Sequence, residues 1–276
     1  MASPLVTSAK RFVESLLLKA PRAYASLLEA AGRGSAEKRL FLRLVQPDWT
    51  VFDIGANRGL FTRLFWALTG PRGKVHAFEP VPATADMLQR SLSAAQGRDI
   101  ALTRSAVGDH EGTVEIFMPG ADDGQVSLRQ HSMGSWSGTP VVKKYPVPMT
   151  TVDAYCARAD VRLVDFIKID VEGAEQLVLD GARATLARDT PVLFVEVCRT
   201  WLEGFQASPE AMIVSLLDTG YDTILWQGDG GLQTVNLNSV RDGARLPYHD
   251  VSANILCGRA DRHAALFTEL QRAFAR

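Results

Sequence analysis

The chain has 276 residues, 46% of them apolar, and its 30 basic and 31 acidic side chains leave a formal net charge of −1. That length accommodates one large core or one domain with terminal additions, and so even a charge balance offers no field to gather nucleic acid or another polyanion. Three scattered cysteines without a C-x-x-C pair, no basic leader in Met1 to Ala9, and no run of roughly 18 uncharged apolar residues predict a cytoplasmic protein with no transmembrane segment.

From Leu5 to Ala31 apolar residues recur at helical spacing; Pro21 is expected to kink or divide this helix, and Gly32 and Gly34 to end it. A second amphipathic helix is predicted from Ala36 to Val45. Residues 1–46 therefore read as a helical extension ahead of a domain spanning 47–276. Packing against its own domain is the plainest fate for such an arm, with a membrane surface or a second copy in a homo-oligomer as alternatives.

Val51 to Ile54 is a short apolar strand that runs through Gly55-Ala56-Asn57-Arg58-Gly59 into a helix from Leu60 to Leu68. Gly55 and Gly59 allow backbone to approach a ligand, and Asn57 tolerates a left-handed conformation. A second strand, Lys74 to Glu79, and a helix from about Ala83 to Ala95 complete a βαβα pattern wound one way. Ile100 to Val107 is predicted as a third strand, with Ala106 and Val107 small enough at its end to admit a flat ring. Thr113 to Met118 and Lys143 to Met149 alternate as antiparallel strands, separated by a polar excursion from Gly120 to Thr139 that reads either as a flap or as a surface loop. A short helix is expected over Thr150 to Ala157, a fourth strand over Val164 to Gly173, and its helix over Ala174 to Leu186. Strand Pro191 to Val197, helix Pro209 to Leu217, strand Thr223 to Trp226, strand Ser252 to Cys257 and helix Asp261 to Phe274 follow, with an irregular segment from Gln227 to Val251. The alternation predicts an α/β fold: a doubly wound, mostly parallel sheet with helices on both faces.

Ligands in such sheets sit beyond the carboxyl ends of the strands, and the polar residues there are Asp53, Glu79, Asp109, Asp170, Glu172 and Glu196. An acid ending the second strand, 26 residues after Asp53, is where a ribose diol is held. Neither the G-x-G-x-x-G of a dinucleotide site nor a P-loop lysine is present. Lys168 sits two residues before Asp170 in a strand expected to be covered on both faces, so it either pairs with a carboxylate or serves the chemistry.

An acid before a G-x-N-x-G turn, with a second acid closing the next strand, resembles the S-adenosylmethionine (SAM) site of class I methyltransferases. The wider set V-F-D-I-G-A-N-R-G-L-F-T, A-F-E-P, S-A-V-G-D-H-E-G-T-V-E-I-F, T-T-V-D-A-Y, F-I-K-I-D-V-E-G-A-E and V-L-F-V-E-V is similar to the FkbM-type SAM-dependent methyltransferases, from Val51 to about Val197. The resemblance implies an O-methyltransferase acting on a hydroxyl of a sugar, a glycolipid or a polyketide-like product. It implies that Asp53, Gly55, Asn57 and Gly59 contact the amino-acid part of SAM, Glu79 the ribose, and Ala106 and Val107 the adenine, with Asp170 beside the methyl donor. Asp170 and Glu196 end adjacent strands and are a candidate site for a divalent metal, Mg²⁺ or Mn²⁺. Asp170, Glu196, Lys168 and His131 are the catalytic candidates, with His249 as a rival base. A non-catalytic Rossmann-like module that binds SAM or a nucleotide is the competing reading, and a nicotinamide-dependent oxidoreductase the third.

Overall fold

The computed structural model describes residues 13–93, 100–119, 126–130, 142–228, 231–246 and 253–275. After a helical turn at 13–17, helix α1 (Pro21–Ala30) starts with Pro21 in its first turn, where a missing N–H costs nothing, so the proline divides the N-terminal helix as expected. Helix α2 (Ala36–Leu44) is capped by Ser35, whose hydroxyl accepts from the Lys38 N–H at 3.2 Å.

Strand β1 (Thr50–Ile54) is buried on both faces, as a central parallel strand should be, and passes through the glycine turn into α3 (Leu60–Thr69). Strand β2 (Lys74–Phe78), helix α4 (Pro82–Ser93) and strand β3 (Ile100–Thr103) extend one edge. The chain then turns at Ser105 into β4 (Ala106–Val107), which leaves the main sheet and joins β5 (Gly112–Pro119) and β6 (Val142–Thr150) in a separate three-stranded sheet ordered β4-β6-β5. The single strand expected over Ile100 to Val107 is thus two: β3 pairs with β2 only as far as Thr103, and Gly108 N–H instead bonds to Thr150 on β6.

Helix α5 (Val152–Arg158), capped by Thr151, leads to β7 (Phe166–Ile169). Asp170 and Glu172 lie beyond this strand, which is shorter than the expected Val164 to Gly173, and Glu172 has a left-handed backbone with φ 57°. The helix expected over Ala174 to Leu186 is divided into α6 (Glu175–Asp180) and α7 (Arg183–Asp189). Packing causes the break: a Cβ on Gly181 would lie 2.0 Å from the Gly108 carbonyl oxygen, and the Asp153 carboxylate accepts from the Ala184 and Thr185 N–H groups to start the second helix.

Strand β8 (Val192–Val197), helices α8 (Arg199–Gly204) and α9 (Pro209–Asp218) and strand β9 (Thr223–Gly228) follow. The segment expected to be irregular contains strand β10 (Gly231–Thr234), paired antiparallel to β9, and helix α10 (Leu237–Arg241), capped by Asn236. Strand β11 (Ala253–Gly258) and helix α11 (Ala260–Phe274) complete the chain. The main sheet is ordered β10-β9-β11-β8-β7-β1-β2-β3, with β3, β2, β1, β7 and β8 mutually parallel and β11 antiparallel to both neighbours. This is the doubly wound α/β architecture that the alternation predicts.

Helix α2 lies on the sheet. Phe41, fully buried, puts its ring 4.7 to 5.8 Å from those of Phe61, Phe65, Phe166 and Phe194, tying the N-terminal helices to β7, β8 and α3. Truncating such a residue to alanine costs about 3–5 kcal/mol. Among the described residues no helix is long and apolar enough to cross a membrane.

Candidate cofactor and acceptor cleft

The turn after β1 is shaped by close approach. Gly55 has φ 79°, and a Cβ there would lie 1.8 Å from the Asp170 carbonyl oxygen, so only glycine lets the loop after β7 pass against it. Asn57 takes the left-handed backbone expected of it, with φ 47°. Its N–H donates to Glu79 Oε2 at 2.8 Å while the Val81 N–H donates to Oε1 at 2.8 Å, so the Glu79 carboxylate ties the turn after β1 to the tip of β2.

Gly55, Asn57 and Glu79 form one wall of a cleft of about 720 Å³, counting the open space at its mouth, which is the size of a small-molecule site. Ala106 and Val107 line it as expected. Ser105 lines it beside them and is 5% exposed, and its hydroxyl has no hydrogen-bond partner among the described residues. Val126 and Leu128 add apolar cover from the segment between β5 and β6. They are held there by Ser127, which exchanges backbone hydrogen bonds with Phe117 and donates its hydroxyl to the Glu172 carbonyl oxygen at 2.8 Å.

Asp170 and Glu172 also line the cleft. Behind Asp170 lies an ionic core. Lys168, 2% exposed, sits 3.0 Å from Asp170 Oδ2 and 3.6 Å from Asp53 Oδ1, and Asp53, 1% exposed, accepts from the Thr62 hydroxyl at 2.6 Å. Lys168 is therefore an internal ion-pair partner. Asp53, Gly59 and Lys168 stand behind the cleft wall, not in it. At Gly59 the constraint is packing, since a Cβ would lie 2.2 Å from Leu88 of α4.

The electrostatics follow from this layering. Burial works against the Lys168 ammonium, but Asp170 and Asp53 outweigh it and hold the pKa above the ordinary value. Burial likewise pushes Asp53 up, against the pull of Lys168. At Asp170 burial is overcome by the Lys168 charge and by a hydrogen bond with Glu196, so its pKa is lowered. Burial, with the charges of Asp170, Glu196 and Glu175, pushes Glu172 up to about 10 and leaves it neutral at physiological pH. Glu175, whose Oε1 accepts from the Val171 and Gly173 N–H groups, is pushed by burial up to about 7. Asp170, Glu172 and Glu196 each offer a carboxylate oxygen within 4.8 Å of the others. His131 and His249 lie outside the described residues.

Glu172 is one of the acids read at the strand ends, and Val126 and Leu128 belong to the excursion that reads either as a flap or as a surface loop; Ser105 carries no local signal that assigns it to this cleft, because the turn there is a tertiary event. A family model described as the Methyltransferase FkbM domain matches residues 53–223, more than half of the chain. The chain belongs to the FkbM methyltransferase family. It is 28% identical over 154 residues to 2-O-methyltransferase NoeI of Sinorhizobium fredii (strain NBRC 101917 / NGR234), a match covering 52% of this chain and 62% of that protein. It is also 28% identical over 151 residues to Methyltransferase 1 of Beauveria bassiana (strain ARSEF 2860), covering 49% and 58%. The chain thus spans about six tenths of the length of the curated relatives it matches. Among solved structures it is similar to the FkbM methyltransferase of Methylobacillus flagellatus KT, with 16% identity, a TM-score of 0.45, and coverage of 76% of this chain and 44% of that one. The FkbM match takes in every residue lining the cleft and stops before Gln227 and Asn254, which also stand at the carboxyl edge of the sheet.

Proposed function

We propose that this FkbM chain is a SAM-dependent O-methyltransferase that modifies a hydroxyl of a sugar, a glycolipid or a polyketide-like acceptor. The observation that carries the reading is the cleft itself, with Glu79 anchored at the tip of β2 on one side and anionic Asp170 on the other. The residues fit the cofactor: Gly55 and Asn57 expose backbone to its amino-acid end, the Glu79 carboxylate stands at the tip of β2 where a ribose diol is held, and Ser105, Ala106 and Val107 suit an adenine. When bound, SAM supplies an electrophilic methyl group on a cationic sulfonium.

Asp170, its carboxylate fixed by Lys168 at the cleft wall, would balance that positive charge. Held anionic by Lys168, Asp170 is a weak base, so it would orient the acceptor hydroxyl and accept its proton only as methyl transfer to that oxygen, with S-adenosylhomocysteine leaving, makes the proton acidic. Glu172, neutral at physiological pH, adds a donor without a second negative charge. The hydroxyl acceptor is further supported by the 2-O-methyltransferase activity that the name of the NoeI relative states. The cytoplasm remains the proposed compartment, with Cys156, Cys198 and Cys257 as free thiols.

Calorimetry with S-adenosylhomocysteine and with NAD, followed by transfer of labelled methyl from SAM to an acceptor panel, tests this reading. Binding of NAD alone removes it, and cofactor binding without transfer to any acceptor favours the non-catalytic module. A divalent Mg²⁺ or Mn²⁺ held by Asp170 and Glu196, with Glu172 as a third oxygen donor, is a second reading favoured by the spacing of those carboxylates. The ion would lower the pKa of the acceptor hydroxyl. Lys168 already neutralises Asp170 from behind, so such a site would share its charge with a resident ammonium. Undiminished transfer in excess EDTA eliminates the metal, whereas loss restored by Mg²⁺ eliminates the metal-free route.

A further inference from the structure

The registers of the central strands align six residues in one row across the carboxyl edge of the sheet. Ile54 pairs with Phe78 and with Ile169, so the next step sets Gly55 beside Glu79 and Asp170. Ile169 pairs with Val195, which sets Asp170 beside Glu196. Glu196 is itself in register with Asn254 on β11, and Asn254 with Gln227 on β9. Residues directly opposite on neighbouring strands project to the same face. The row therefore reads Glu79, Gly55, Asp170, Glu196, Asn254, Gln227. Its first half belongs to the proposed cofactor site, with Asp170 at the junction.

The second half is oriented from above. Asn254 Nδ2 donates to Glu37 Oε1 at 3.3 Å and to Gln227 Oε1 at 3.5 Å, and Glu37 lies in the first turn of α2, which Phe41 clamps to this face. With both amide hydrogens engaged, the Asn254 Oδ1 atom is the end left to accept, and it has no partner among the described residues. Asn254 is partly exposed. A carbonyl acceptor set one strand spacing, about 4.8 Å, from Glu196 suits a second hydroxyl next to the one at Asp170. No Lys or Arg stands in the row to welcome an anionic group.

We infer that Asn254, positioned by Glu37 and Gln227, reads a neighbouring hydroxyl of the methyl acceptor, and that the acceptor is a neutral polyol such as a glycoside lying along the row from Asp170 toward β9. The inference rests on the reading of the cleft as a SAM site and specifies where and how the acceptor binds. Glu37, Gln227 and Asn254 all fall outside residues 53–223, so these selective contacts come from the parts of the chain that the family match does not cover.

The test is calorimetry on the full chain saturated with S-adenosylhomocysteine, titrated with a panel of methyl glycosides, a simple aliphatic alcohol and a hydroxy acid. At least one glycoside is expected to bind in preference to the alcohol and the acid. Asn254→Ala should weaken that binding at least tenfold and leave S-adenosylhomocysteine affinity unchanged. Glu37→Ala, a partly exposed change that leaves Asn254 in place, should weaken it about three- to tenfold by freeing the amide to rotate; it decides the matter if Asn254→Ala does not fold. Equal glycoside affinity in the folded variants, preference for the acid or the simple alcohol, or no glycoside binding by the loaded wild type overturns the inference and leaves the cofactor site standing. Failure of the wild type to bind S-adenosylhomocysteine instead removes the SAM reading, and the inference with it.

Discussion

Replacing Lys168 with Met should destabilise the protein by about 3–5 kcal/mol, and much of that loss should be recovered by also replacing Asp53 with asparagine. At an effective dielectric near 20, unit charges 3.0 and 3.6 Å apart attract by roughly 5 kcal/mol each before desolvation is counted. The Asp170 share is discounted because that side chain is 35% exposed and water screens it, whereas Asp53 is 1% exposed and keeps nearly all of its dependence on Lys168. Removing one member of a buried pair leaves the other uncompensated, and that penalty exceeds the worth of the pair itself. In Lys168→Met, Asp53 must take up a proton or remain charged against a wall of β-strand backbone; in the double variant the side-chain amide introduced by Asp53→Asn still offers an acceptor to the Thr62 hydroxyl without the charge. Urea unfolding of the wild type, both single variants and the double variant gives the coupling energy, expected at about 2 kcal/mol or more. A loss under about 1 kcal/mol for Lys168→Met, or additive single effects, would refute the argument that this ammonium is the counter-ion of the buried carboxylates.

Glu79→Ala should weaken SAM binding by about 1–3 kcal/mol and also loosen the turn, because the Asn57 and Val81 N–H groups lose their acceptor; wild-type affinity by calorimetry would remove Glu79 from the site. Asn57, at φ 47°, should accept Gly at a cost below about 1 kcal/mol while Asn57→Val costs about 1–2 kcal/mol, and equal melting midpoints for the two variants would contradict the left-handed turn. Glu175 has a pKa of about 7 when folded against an ordinary 4.5, so between those values the folded protein keeps a proton that the unfolded chain has released, and stability falls as pH rises through that window. Glu175→Gln should therefore match the wild type near pH 4.5 and exceed it by up to about 3 kcal/mol at pH 8, measured by urea unfolding; parallel pH profiles would refute the assignment.

The turn after β1 is legible in the sequence because its demands are local: Gly55 and Asn57 take positive φ, and Gly-x-Asn-x-Gly is a pattern that permits it. The alternating strands and helices are legible for the same reason, since a parallel strand covered on both faces reads as an apolar run such as Val192-Leu193-Phe194-Val195. Pro21 and the capping residues Ser35 and Thr151 also act within a few residues of themselves. Other features depend on partners distant in the chain. The strand over Ile100 to Val107 divides because Gly108 finds Thr150, and the helix after Ala174 divides because Gly181 meets the Gly108 carbonyl and Asp153 supplies a new cap. Asp53 reads in sequence as the last polar group of a strand facing a ligand, but Thr62 and Lys168 enclose it. The row from Glu79 to Gln227 draws on residues as far apart in the chain as Gly55 and Asn254. Its order follows from the β8-β11-β9 registers, and a local pattern carries no information about which strand lies beside which, because backbone pairing is the same for every sequence and only the packing of the finished sheet selects it.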